Sequence, residues 1–335
     1  MRIVIVFLLV LLGAPSSAVG QAARWVVRSL PQADLWYAGL AQLPFEGFSG
    51  LPMYSTEYAQ TLRDAKRMAR IQTRLDTERA ALHAAIARDS AFEVLHFVPI
   101  YFVGTDRAGM FAALRAVAAG EDPASLSDPH ARFGATFLAA VLPTNEQRAV
   151  LGRLTAAMED EWQRFFGRWW TQSAAERSRQ ADSVQTVWDA VLAEWVEPLL
   201  TRVRLDTGLI VLSPALGSEG RIYAGRPEDR ADNVVAVRLP TGAAGAAVAA
   251  VSIVREFCHP WASTLIAERG GADSRARAQT SSRLAVRCGA ILLESAPEHW
   301  RDTYVRAYAG SRKLTEALPV DPSLLDALRD RLAVP

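Results

Sequence analysis

Asn233-Val234-Val235-Ala236-Val237-Arg238-Leu239 is a β-branched run. An alanine-rich stretch from Ala243 to Ala267 follows, containing Val254-Arg255-Glu256-Phe257-Cys258-His259-Pro260-Trp261. The first reads as a strand and the second as a helix, because β-branched residues suit a pleated surface and alanine is the strongest helix former. Upstream, Gly208 to Ser213 and Arg221 to Ala224 read as two more strands, and short polar connections predict an antiparallel meander. Downstream, a polar loop over Arg269 to Ser281 leads to an apolar helix over Ser282 to Ser295. Asp321-Pro322 opens a last amphipathic helix, with Asp as cap and Pro at its first position. The expected fold class is α+β, mostly helical, with a small antiparallel sheet packed on a helix pair.

The N-terminal half is read outward from there. Gln21 to Tyr54 is aromatic and rich in Gly and Pro, which predicts irregular structure with a short helix near Leu35 to Leu40. Ser55 to Ala87 reads as one helix with Ser55 as its N-cap, and Phe92 to Val103 as a strand that Pro99 confines to an edge or a bulge. Asp106 to Ala119 and His130 to Leu142 read as helices. Thr144 and Gln147 form a capping box that opens a long helical region reaching Val203. Within it, Trp162, Phe165, Phe166 and Trp169 follow the i, i+3, i+4, i+7 spacing of a core-facing helix.

Met1-Arg2, the apolar run Ile3 to Leu12 and Ser16-Ser17-Ala18 follow the order of a secretory signal peptide with cleavage near Ala18. Three segments follow: 1–18 as signal peptide, 19–142 as an aromatic-rich part, and 143–335 as the helical part of the same domain, carrying the motif. The expected location is exported, periplasmic or extracellular, and no later segment is long enough to span a membrane. The 335 residues carry 37 basic and 36 acidic groups, a net charge of +1, which argues against nucleic acid as a partner.

Glu256 and His259 are the second half of a zinc peptidase helix. Its His-Glu-x-x-His spacing puts two histidines on one face to hold the metal, and the Glu then acts as base on metal-bound water. Arg255 stands where the first His belongs. In this context the chain resembles uncharacterised bacterial secreted proteins of the gluzincin-like, zincin-fold class. These carry His-Glu-Phe-x-His after a β-hairpin, with a Glu ligand on a second helix near a Val-Arg-Ala stretch. Glu256-Phe257 and His259 match the first motif, and Val286-Arg287 matches the start of the second. The resemblance covers about Leu209 to Leu293. It implies a zincin-like packing of sheet and helix pair, zinc as cofactor and peptide hydrolysis.

The departures point the other way. Arg255 is a permanent cation that repels zinc. Ser281-Ser282-Arg283-Leu284, around the expected third ligand, has no carboxylate, and Glu294 is the only acid on that helix. His83, His96, His130 and His299 are scattered singly, with His96 the best placed for a cleft. The expectation is a scaffold that has lost its metal: no cofactor, with zinc as the alternative; His259 as a lone remaining ligand; and Glu256 as a vestigial or real base. Cys258 and Cys288 fall on the two helices that zinc would bridge, which predicts a disulfide between them; two separate buried thiols are the alternative. Arg255 either pairs with Glu256, Glu294 or another carboxylate, or grips a carboxylate ligand. Functionally the chain reads as a pseudo-peptidase with a binding or scaffold role for an unknown peptide or small molecule. The alternatives are an active secreted zinc metallopeptidase with non-standard ligands, a metal-free hydrolase, or a binding protein using exposed tryptophans. No Gly-x-Ser-x-Gly elbow and no phosphate-binding glycine loop occurs.

Overall fold

The computed structural model describes residues 24–45, 50–202, 205, 207–225, 233–239, 245–270 and 273–333. The expected signal segment 1–18 lies outside the described residues. Strand β1 (Arg24–Arg28) leads into helix α1 (Pro31–Gln42), so the segment expected to be irregular holds a strand and a full helix. Helix α2 (Thr56–Ala69) starts at the predicted cap, with the Ser55 hydroxyl accepting from Tyr58 N. It stops at Arg70, whose left-handed φ of 54° turns the chain into α3 (Arg74–Ala87), so the single predicted helix is two.

The expected strand Phe92 to Val103 is helical: a 3-10 segment, Ser90–Phe97, runs into the short helix α4 (Val98–Tyr101). Asp89 caps the Ala91 N–H at 2.9 Å and starts these turns. Pro99 lies in the first turn of α4, where it needs no N–H partner. Helices α5 (Arg107–Ala119), α6 (Pro129–Val141) and α7 (Asn145–Glu161) follow, the last opened by the Thr144–Gln147 capping box. The long helical region then continues as a π-turn at Trp162–Phe166, α8 (Gly167–Gln172), α9 (Ala174–Val187), a π-turn at Trp188–Leu192 and α10 (Ala193–Arg202). Phe165 and Phe166 are buried in the core, as their spacing predicts.

The three later strands fall where expected, as β2 (Thr207–Ser213), β3 (Arg221–Tyr223) and β4 (Val234–Arg238), but their arrangement corrects the meander. The sheet order is β1-β2-β4-β3, with β1–β2 and β2–β4 parallel and only β3–β4 antiparallel. Both faces are covered. Ile210, Leu212, Val235 and Val237 join one hydrophobic core with Trp25 and Trp188, while Val211, Val234 and Ala236 join the other with Trp36, Tyr37 and Phe102. Burial on both faces explains the continuous apolar runs, which are the mark of parallel strands.

Helix α11 (Gly245–Arg269) covers one face of the sheet and packs along α12 (Ser274–Leu292). The expected loop up to Ser281 is mostly helix, because Asp273 caps the Ala276 N–H at 2.7 Å and starts α12 early. Cys258 of α11 and Cys288 of α12 form the expected disulfide, with Cα atoms 5.8 Å apart. Helices α13 (Glu298–Ala309), α14 (Leu314–Ala317) and α15 (Pro322–Ala333) complete the fold. The fold class is therefore α+β and mostly helical, around one small mixed sheet. Among the described residues no helix is long and apolar enough to cross a membrane.

Candidate functional site

The middle of α11, the start of α12, strand β3 and the 3-10 segment before α4 enclose a cavity of about 440 Å³. Glu256 and His259 line it from α11, Ser281 from α12, Arg221 from β3 and His96 from the opposite wall. The cavity therefore unites the Glu and His of the sequence motif with the one other histidine expected in a cleft. His83, His130 and His299 lie elsewhere: His83 packs beside Phe45, and His130 and His299 are exposed.

Arg255 and Glu256 form an ion pair at 0% and 1% side-chain exposure. Arg255 Nη1 donates to Glu256 Oε1 at 2.5 Å and Nη2 donates to the Ser282 hydroxyl at 2.6 Å. Glu256 Oε1 also accepts from Gly220 N at 3.0 Å, which ties α11 to the chain entering β3. Burial alone would lower the pKa of Arg255, but Glu256, Tyr308 and Glu219 together outweigh it and hold the guanidinium charged. Burial raises the Glu256 carboxyl, opposed by Arg255. Of the partners expected for Arg255, Glu256 is the one found; Glu294 is exposed and lies 3.6 Å from Arg329 instead. The reading of Arg255 as a ligand-gripping fork fails, because both Nη groups are spent inside the protein and the side chain does not line the cavity.

His259 Nδ1 lies 3.3 Å from the Ser263 hydroxyl, which is 2.8 Å from the Ser281 hydroxyl. Burial, with Arg255 and Arg221 nearby, depresses the His259 pKa to about 3. Burial and Arg221 do the same to His96, whose Nδ1 sits 2.6 Å from the Tyr54 hydroxyl. Both imidazoles are thus neutral at neutral pH and too weakly basic to draw a proton from a serine. Glu256 Oε1 is engaged by both Arg255 and Gly220 N, which ties the carboxylate into the fold.

The residues do not fit zinc. A cation with two hydrogen bonds stands at the first-ligand position and a serine hydroxyl at the end of it, where a third ligand would come from α12. Among the described residues, no three His, Cys, Asp or Glu side chains gather where they could hold a metal ion. Cys258 and Cys288 lie in an apolar cluster with Leu265 and Leu284 and do not line the cavity.

Arg221, Gly220 and Tyr54 were not singled out as functional from the sequence. A readable signal was Glu219-Gly220-Arg221 just before a strand: a Cβ at Gly220 would sit 2.7 Å from the Glu256 carboxyl, so the backbone can reach Glu256 only as glycine. Of the nine tryptophans, Trp25, Trp36, Trp188 and Trp300 are buried and the others half-buried. In comparisons with known proteins, no family model, no curated protein and no solved structure matches the chain.

Proposed function

We propose that the chain is an exported zincin-like protein that has lost zinc-peptidase activity and acts as a binding module, its cavity holding a peptide or small molecule. The observation that carries this reading is the Arg255–Glu256–Ser282 cluster. It turns the base of a zinc peptidase motif into one half of a buried ion pair and occupies the first-ligand position with a fixed positive charge. A cavity of about 440 Å³ falls within the range of small-molecule sites and supports a binding role. The apolar N-terminal segment ending near Ala18 supports export, and the Cys258–Cys288 bridge is compatible with an oxidising compartment. The binding partner on this reading is a small ligand and not nucleic acid, in keeping with the balanced charge.

Metal analysis of the purified protein tests the proposal. The unaltered chain is expected to carry no stoichiometric zinc. A variant combining Arg255→His with Ser281→Glu or Ser282→Glu is expected to acquire zinc, because it restores two ligands beside His259. Stoichiometric zinc together with peptide hydrolysis in the unaltered protein would return it to the active metallopeptidases.

A further inference from the structure

The cavity is lined by charged side chains of both signs, and the fold uses only some of them. Arg255 and Glu256 are spent on each other. Arg221 is tied to the Gly220 and Glu219 carbonyls and to Tyr54, and Glu219 also has a partner within the protein. Glu93, Arg275 and Arg277 are the charged lining groups that remain. All three are exposed residues, open to whatever enters the cavity. Among the described residues, none of their side chains makes an ion pair or a hydrogen bond.

Local structure puts the two signs on different walls. Glu93 and His96 lie three apart in the 3-10 segment Ser90–Phe97, where residues at that spacing eclipse, so both meet the cavity. Arg275 and Arg277 flank Ala278 in the first turns of α12, about 60° to one side of it and about 100° to the other. Burial raises the Glu93 carboxyl, and no cation opposes the shift. Between these walls, Phe97, Ile222 and Ile266 supply apolar surface. The linked His259, Ser263 and Ser281 side chains add neutral groups that can donate and accept, as an amide bond requires. A simple acid would leave Glu93 unmet, and a simple amine would leave both arginines unmet. A volume of about 440 Å³ holds about 15 waters, the bulk of a dipeptide.

We propose that the cavity binds a short peptide of dipeptide size with both termini free, its ammonium group against Glu93 and its carboxylate against Arg275 and Arg277. This rests on the reading of the cavity as a binding site and names the ligand class; it does not depend on how the zinc motif was lost.

Calorimetric titration of the full-length protein at pH 7 and low salt tests it with four probes: alanyl-phenylalanine, its N-acetyl form, its C-terminal amide, and the doubly blocked peptide. Blocking either terminus is expected to weaken binding about 5-fold, the upper end for a solvent-exposed ion pair, and blocking both about 25-fold. Glu93→Gln is expected to abolish the preference for a free amino group and keep that for a free carboxylate. Arg275→Gln combined with Arg277→Gln is expected to do the reverse. All three positions are exposed and unpaired, so these variants should fold, and the four-probe comparison needs no variant. Equal affinity for the free and doubly blocked peptides, a preference for only one free terminus, no binding of any probe, or preferences that persist in the variants overturns the proposal. Stoichiometric zinc with cleavage of the dipeptide would overturn the lost-metal reading, while the terminus preferences would still decide this one.

Discussion

Replacing Glu256 by Gln keeps the volume of the side chain and an oxygen for Gly220 N, but strands the Arg255 guanidinium at 0% exposure. Breaking a buried pair by removing one partner costs about 3–5 kcal/mol, because the remaining charge is left desolvated. The reverse change, Arg255→Met, strands a carboxylate, which escapes by binding a proton where a guanidinium cannot. In that variant burial raises the carboxyl pKa without Arg255 to oppose it. Its penalty is therefore full at neutral pH and shrinks as pH falls toward the raised pKa, while the Glu256→Gln penalty does not shrink. The double variant Arg255→Met with Glu256→Gln removes both charges and is expected within about 1 kcal/mol of the unaltered protein. Urea unfolding followed by tryptophan fluorescence, with the disulfide kept oxidised, measures all four proteins. A Glu256→Gln cost below about 1 kcal/mol, or single-variant costs that simply add in the double variant, refutes the reasoning.

Three further outcomes follow from the structure. Reducing the Cys258–Cys288 bridge opens a loop spanning 30 residues and should cost about 3–4 kcal/mol in the chain-entropy picture, read as a lower urea midpoint; an unchanged midpoint contradicts it. His96 and His259 have folded pKa values depressed from 6.5 to about 3, so their stabilising contribution is full above 6.5 and is lost as pH falls through that window. Asp34, raised by burial from 3.8 to about 6, acts in the opposite sense: its contribution is full below 3.8 and lost as pH rises through about 6. The two histidine shifts are larger than that of Asp34, so these three groups together should make stability fall on acidification from 6.5, and imidazole NMR signals that titrate at their ordinary value would rule this out. Gly220→Ala places a Cβ 2.6 Å from the Ala236 carbonyl and 2.7 Å from the Glu256 carboxyl; it should destabilise by about 1–3 kcal/mol, and an unaltered urea midpoint would argue against the close approach.

Much of the architecture could be read from local patterns, and the errors have identifiable physical causes. The caps at Ser55 and Thr144, the three later strands and the Cys258–Cys288 pairing were legible, because each depends on residues close in sequence or on a count of two cysteines. The sheet topology was not, since strand order depends on β1, separated from β2 by the entire helical region, and the residues flanking β1 gave it no strand signature. The unbroken apolar runs of β2 and β4 did carry a warning, for an antiparallel meander with one wet face would alternate. Phe92 to Val103 was misread because its aromatic and β-branched content favours strand, whereas the Asp89 cap and tertiary burial of Leu95, Val98, Ile100 and Phe102 made it helical. At the candidate site, Glu256 and His259 were visible through their spacing. Arg221 and His96 reach the same cavity from distant segments, with the Tyr54 hydroxyl bonded to His96, and only the folded chain brings them together.

On the proposed reading, a zinc peptidase scaffold has exchanged its metal for the Arg255–Glu256–Ser282 cluster. Zinc content after equilibration with excess zinc and removal of loosely held ions tests it most directly. Less than stoichiometric zinc is expected in the unaltered protein, and close to one equivalent once Arg255→His is combined with Ser281→Glu or Ser282→Glu on α12. One equivalent of zinc retained by the unaltered protein would contradict it.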